Sequence, residues 1–102
     1  MFSANQNRFA TFGVISRTPG PIIDAVWAII DNNLQGVFPL QNLLKFSFKN
    51  NDGQLQVEFS ESKLEGGLAV DLNYDYKPSL PDAVYAYDDG NAQTILLEDE
   101  IE

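Results

Sequence analysis

Apolar and polar residues alternate most cleanly between positions 44 and 60. Leu44, Phe46 and Phe48 alternate with Lys45, Ser47 and Lys49; Leu55, Val57 and Phe59 alternate with Gln56, Glu58 and Ser60. A period of two belongs to a strand with one buried and one wet face. Between the runs stands Asp52-Gly53, a pair that favours a two-residue turn because both positions need positive φ. A turn there places Phe48 opposite Val57 and Phe46 opposite Phe59, so turn chemistry and hydrophobic face agree on one register. Lys45 and Lys49 then lie diagonal to Glu58 on the wet face.

The same alternation predicts three further segments. Residues 8–16 read as a first strand, with Ala10, Phe12 and Val14 on one face and Gly13 marking a bulge or a close packing contact. Residues 68–77 read as a long strand, with Leu68, Val70, Leu72, Tyr74 and Tyr76 on its buried face and Asp71 and Asp75 on its wet face. Residues 83–87 and 93–97 read as a second hairpin around Asp88-Asp89-Gly90-Asn91, with its register open.

A period of 3.6 occurs once. Ile22, Ile23, Val26, Trp27, Ile30 and Leu34 form one broad stripe, predicting a helix over residues 21–34. Pro21 suits the first turn, Asp24 complements the dipole there, and Gly36 is the expected stop. Residues 37–43, with Pro39, are ambiguous, and Gly66-Gly67 breaks the chain. The predicted fold is α+β in the order β-α-β-β-β-β-β. One helix lies on a curved, mainly antiparallel sheet of about six strands, with Trp27 and the Phe side chains filling the layer between.

Length makes this a single domain over residues 1–102, with a solvated tail at 98–102. A domain this small buries only about two-thirds of its unfolded surface, so a homodimer would add to a modest stability. The chain has no Cys and no His, which removes disulfides, thiolate chemistry and the commonest bases and metal ligands. The first nine residues are too polar for a secretory signal, and no apolar run has the ~20 residues of a membrane span. The expected compartment is the cytoplasm.

Charge is distributed unevenly. Residues 1–51 carry four cations and two acids, a net +2, whereas residues 52–102 carry two cations and thirteen acids, a net −11. The total of −9 is repelled by free nucleic acid and by anionic membranes. Like charges in such number are either kept hydrated or offered to a basic partner.

Candidate chemistry is sparse. Asn50-Asn51-Asp52-Gly53 and Asp88-Asp89-Gly90-Asn91 resemble calcium loops only superficially. They lack alternating oxygen ligands with a distant Glu, and both sit where a hairpin needs a turn. Asp52 with Glu61-Ser62-Lys63 matches the acid set of metal-dependent nucleases, but the surface lacks cations for phosphate. Asp71 and Asp75 could act as an acid–base pair only in unlike environments, and a solvated strand face supplies none.

Three segments carry a resemblance. Asn7-Arg8-Phe9-Ala10-Thr11-Phe12-Gly13-Val14, then Trp27-Ala-Ile-Ile-Asp31, then Tyr87-Asp88-Asp89-Gly90 with Gln93-Thr94-Ile95-Leu96-Leu97 resemble a family of short uncharacterised proteins. The family, domain of unknown function 960, comes from low-GC Gram-positive bacteria and their mobile elements. The likeness covers roughly half the chain; in the middle, Pro39-Leu-Gln-Asn-Leu-Leu44 replaces the family's Asp-Tyr-Leu-Gln segment. It implies a small cytoplasmic bacterial or phage-borne protein and supplies no activity, cofactor or site residue.

The expected function is therefore a non-enzymatic protein–protein interaction module without metal or cofactor. Its acidic half would meet a protein partner with a basic surface, and it would bind neither nucleic acid nor membrane directly. The expected contacts are Asp71, Asp75, Tyr76, Tyr85, Tyr87, Asp88 and Asp89, where Tyr and acid coincide. A narrower alternative is a nucleic-acid mimic, such as a phage-borne inhibitor of a defence nuclease. A carboxylate–metal enzyme is the least favoured.

Overall fold

In the computed structural model, which describes residues 7–34, 42–60 and 68–101, six strands form one sheet in the order β1-β6-β5-β2-β3-β4. The strands are β1 (Asn7–Ala10), β2 (Leu43–Asn51), β3 (Gln54–Ser60), β4 (Leu68–Asp75), β5 (Ala83–Asp88) and β6 (Ala92–Leu96). Only the β1–β6 pair is parallel; the other four pairings are antiparallel. Helices α1 (Phe12–Arg17) and α2 (Gly20–Ile29) follow β1, and a π-helical turn, Ile30–Leu34, extends α2. The expected α+β architecture, one main helix on a curved and mainly antiparallel sheet, is the one observed.

The β2–β3 hairpin has the predicted register, Phe48 opposite Val57 and Phe46 opposite Phe59. Its turn is of the predicted kind: Asp52 has φ 54° and Gly53 φ 89°. Asn50 Oδ1 also accepts the Gly53 N–H at 2.7 Å, so this Asn-Asp-Gly segment is a turn held by its own side chain. The open register of the second hairpin resolves with Asp88 opposite Gln93 and Tyr87 opposite Thr94. In β4 the register with β3 shifts between Gln54 and Gln56, and Gln54 Nε2 donates to the Leu72 carbonyl at 2.7 Å across the irregularity.

One face of the sheet carries the core. Leu44, Phe46, Phe48, Leu55, Val57, Phe59, Val84, Ala86 and Ile95 pack with Ile22, Val26, Ile29, Ile30 and Leu34 of the helical segment. Trp27 is only partly buried and packs at the edge of this cluster rather than filling its centre. Its indole lies under the Arg8 guanidinium, 4.7 Å from the ring centroid, which keeps it at the boundary.

The first predicted strand is half right. β1 ends at Ala10, and residues 12–17 turn into α1. Thr11 is the reason: its side chain caps the helix by accepting the Val14 N–H at 3.3 Å, and its carbonyl accepts the Ile15 N–H at 3.0 Å. Gly13 makes the expected close contact, since a Cβ there would lie 3.1 Å from both Leu97 Cδ1 and Glu100 Oε2. Asp24 lies beyond the first turn of α2, which holds no acid. The predicted stop at Gly36, most of the ambiguous 37–43 stretch, the Gly66-Gly67 break and the Glu61-Ser62-Lys63 piece lie outside the described residues.

The segment after β6 is docked. Leu97 is buried, Glu98–Glu100 form a 3-10 turn, and the Glu100 carboxylate accepts the Thr11 hydroxyl at 2.7 Å and the Leu97 N–H at 2.8 Å. A residue from the end of the chain thus fixes the β1–α1 corner.

Candidate functional site

The helices cover one face of the sheet, so the alternate side chains of β1, β6, β5 and β2 point the other way. The register aligns Phe9, Thr94, Tyr87 and Leu43 in one row across four strands. The next row holds Leu96, Tyr85 and Lys45. A two-layer domain ordinarily makes such a face polar. Here Phe9 is 54% and Tyr87 40% exposed, and Leu43, Tyr85 and Leu96 are half-buried. Leu43, Tyr87 and Leu96, with Asn42, Glu100 and Ile101, wall a cavity of about 480 Å³ on this side.

Acids border this apolar surface. Glu98, Asp99 and Glu100 are exposed on the 3-10 turn, and the Tyr85 hydroxyl donates to Glu98 Oε1 at 3.4 Å. Asp89 is exposed at the β5–β6 turn, where its carboxylate accepts the Asn91 and Ala92 N–H groups at 2.8 Å each. Those bonds, Ala92 first, hold its pKa below the ordinary carboxylate value. Lys45 stands as a cation within the apolar rows.

The seven expected contact residues do not form one surface. Tyr85 and Tyr87 share the outer face with Phe9. Asp71 and Asp75 lie on β4, at the far edge of the sheet three strands from β5. Asp71 accepts from Gln56 Nε2 at 3.0 Å and Asn51 Nδ2 at 3.2 Å. Tyr76 is half-buried against the core, and its N–H donates to the Gly53 carbonyl at 2.9 Å. Asp88, expected to be solvated, is only 2% exposed. It occupies an inward position of β5, opposite buried Gln93, and accepts the Gly90 N–H at 2.8 Å.

Phe9, Leu43 and Leu96 were not legible as site residues. A signal did exist. Residues 83–87 and 94–97 are nearly continuous apolar runs rather than alternating ones, which marks strands with both faces apolar.

A second polar group lies on the inner side. Arg8 binds Asp31 through two bonds of 2.8 and 2.6 Å and donates from Nε to Gln93 Oε1 at 2.9 Å. The Arg8 hydrogen bonds hold the Asp31 pKa below its ordinary value against some desolvation. These groups satisfy one another and tie β1 and β6 to the π turn after α2, so the cluster reads as a structural clamp. Among the described residues no three His, Cys, Asp or Glu converge as metal ligands, and no helix is long and apolar enough to cross a membrane.

Residues 7–100 match the model of a family described as a staphylococcal protein of unknown function, DUF960, so the likeness extends well past half the chain. No curated protein matches. A crystal structure of a protein of unknown function from Enterococcus faecalis is similar at TM-score 0.96 and 42% identity, over 99% of this chain and 95% of that one.

Proposed function

Because this chain belongs to the DUF960 family of staphylococcal proteins of unknown function, a membership that brings no activity with it, we propose that it is a non-enzymatic interaction module. It docks a basic partner protein on the outer face of its sheet. One observation carries this reading: Phe9 and Tyr87 stand exposed in one cross-strand row, on the face opposite the helices. Aromatic anchors of this kind are typical of interface centres, with polar rims around them. The rim here is acidic, through Asp89, Glu98, Asp99 and Glu100, so a partner with basic residues around an apolar anchor is complementary.

The placement of the acids supports docking over mimicry of nucleic acid. Among the described residues the acids after Asn51 scatter over the β2–β3 turn (Asp52), β3 (Glu58), β4 (Asp71, Asp75), the position before β5 (Asp82), the β5–β6 turn (Asp89), the 3-10 turn (Glu98, Asp99, Glu100) and the buried Asp88, not along one row spaced like phosphates. The charge of −9 argues against direct contact with nucleic acid.

The test is a quantitative affinity capture from a host that carries the family, comparing the native chain with F9S/Y87S and with D71K/D75K. Loss of the same proteins with F9S/Y87S but not with D71K/D75K, and weaker capture at high salt, is the expected outcome. An unchanged set of proteins with F9S/Y87S would overturn the reading.

A further inference from the structure

On the helical side of the sheet, remote from the Phe9–Tyr87 row, the chain forms a cavity of about 580 Å³. Its walls come from the end of α1 (Ile15, Arg17), the start of α2 (Pro21, Ile22), the end of β4 (Tyr74) and the β4–β5 connection (Lys77, Leu80). That volume falls in the range of small-molecule sites, roughly 300–1,000 Å³.

Four independent features of this wall agree on one ligand chemistry. The first is apolar exposure. Ile15 and Tyr74, 57% and 42% exposed, are two of the five large apolar side chains that the described residues leave in water, and both line this cavity. The second is charge. In a chain with only six cations, Arg17 and Lys77 both lie in this wall, and neither has an ion pair among the described residues. Asp75, also in the wall, offsets one of them. Arg17 borders Asp82, Glu98 and Asp99 on its other side without pairing with any of them.

The third is the helix terminus. Pro19, at the N-cap of α2, supplies no side-chain acceptor, and the first turn contains no acid. The positive end of a ten-residue helix therefore lies beside the cavity without an acidic counter-charge in its first turn. It acts through its dipole alone, since the Ile22 and Ile23 N–H groups already bond the Pro19 carbonyl and Pro21 has none. The fourth is Thr18, a wall residue 4% exposed whose hydroxyl has no hydrogen-bond partner.

We infer that this cavity binds a small amphipathic carboxylate, with the apolar body against Ile15, Ile22, Leu80 and Tyr74 and the carboxylate between Arg17, Lys77 and the α2 N-terminus. The inference is independent of the outer-face docking surface. An ammonium head group would face the same three positive elements, with Asp75 as the one wall carboxylate in its favour. An uncharged alcohol would keep the apolar contact and lose the electrostatic one.

The test is a titration of the isotopically labelled full chain with octanoate, octanol and octylammonium, followed by amide NMR shifts. Octanoate is expected to shift the amides of Ile15, Thr18, Ile22, Tyr74 and Leu80 with a dissociation constant of about 1 mM or tighter. Octanol should bind about tenfold more weakly, and R17Q/K77Q should lower octanoate affinity by about the same factor. Both substituted side chains are exposed, so the variant should keep the native amide dispersion. If it does not fold, the octanoate–octylammonium comparison on the native chain decides alone. Octylammonium binding as tight as octanoate, shifts centred on Phe9 and Tyr87, or no saturable shift at about ten times that concentration would each overturn the site.

Discussion

Arg8 and Asp31, twenty-three positions apart, meet in a two-bond ion pair at 2.8 and 2.6 Å that joins the first strand to the π turn after α2. The same guanidinium covers Trp27 and bonds Gln93, so one side chain connects β1, the helix and β6. With 17% and 30% side-chain exposure, the pair is shielded enough to exceed an ordinary surface ion pair. Arg8→Met is expected to cost about 2–3 kcal/mol, because it also removes the cation from the indole and leaves Asp31 unpaired. Asp31→Asn is expected to cost about 1–2 kcal/mol. A double-mutant cycle in urea should give a coupling of about 1 kcal/mol; a coupling near zero would make the pair incidental.

The pair also sets an acid dependence. Asp31 is depressed below its ordinary 3.8 by Arg8, so its contribution is full above that value and is lost as pH falls through the lower folded value. The stability gap between the native chain and Asp31→Asn should therefore be constant at neutral pH and shrink below about pH 4. A gap that stays constant down to about pH 2 would show that Asp31 has the same affinity for protons in both states.

Two acids close to one another in the sequence reading should behave in opposite ways. Asp88 is buried on the inner face of β5 and accepts the Gly90 N–H, so Asp88→Lys removes that acceptor and buries a longer, cationic side chain in its place. A loss of about 3 kcal/mol or more is expected. Asp71 is exposed on the edge strand, and Asp71→Lys should change stability by no more than about 0.5 kcal/mol. Thermal unfolding of the two variants checks both, and equal melting temperatures would contradict the burial of Asp88.

What could be read in advance followed the range of the forces involved. The Asp52-Gly53 hairpin was legible because its turn and its alternation are local and agree. The α1 helix was not, since Ala10, Phe12 and Val14 fit a strand period as well. The decision falls to Thr11, whose cap is completed by Glu100, eighty-nine positions later. The parallel β1–β6 pairing joins the two ends of the chain and leaves no local mark. The outer face was legible at Tyr85 and Tyr87 and hidden at Phe9, whose direction depends on that same pairing. Asp88 was misplaced because its turn sequence suggests solvent, while its strand parity directs it inward.

Glycine substitutions separate backbone strain from crowding. Gly53 has φ 89° and nothing within 4 Å of an added Cβ, so Gly53→Val costs backbone strain alone, about 1–2 kcal/mol. Gly13→Ala meets Leu97 and Glu100 at 3.1 Å instead and must push both side chains back by a few tenths of an ångström, which strains the carboxylate that bonds Thr11 and Leu97. A similar loss of about 1–2 kcal/mol is expected, but confined in hydrogen exchange to the β1–α1 corner and the 3-10 turn. Faster exchange at the β2–β3 hairpin in Gly13→Ala would contradict this division.

Thr18 offers the opposite sign. Its hydroxyl is buried without a partner, while its N–H keeps a 2.9 Å bond to the Val14 carbonyl. Its backbone, φ −130° and ψ 120°, is extended, a conformation that β-branched residues favour. Thr18→Val keeps the shape and the backbone bond and removes only the group that lost its water. Since an unmade buried hydrogen bond costs about 1–3 kcal/mol, the variant should gain about 1 kcal/mol. The gain should appear as a higher urea midpoint with an unchanged slope. A loss of similar size would mean that a buried water satisfies the hydroxyl, and the neighbouring cavity would then be wetter than its apolar lining implies.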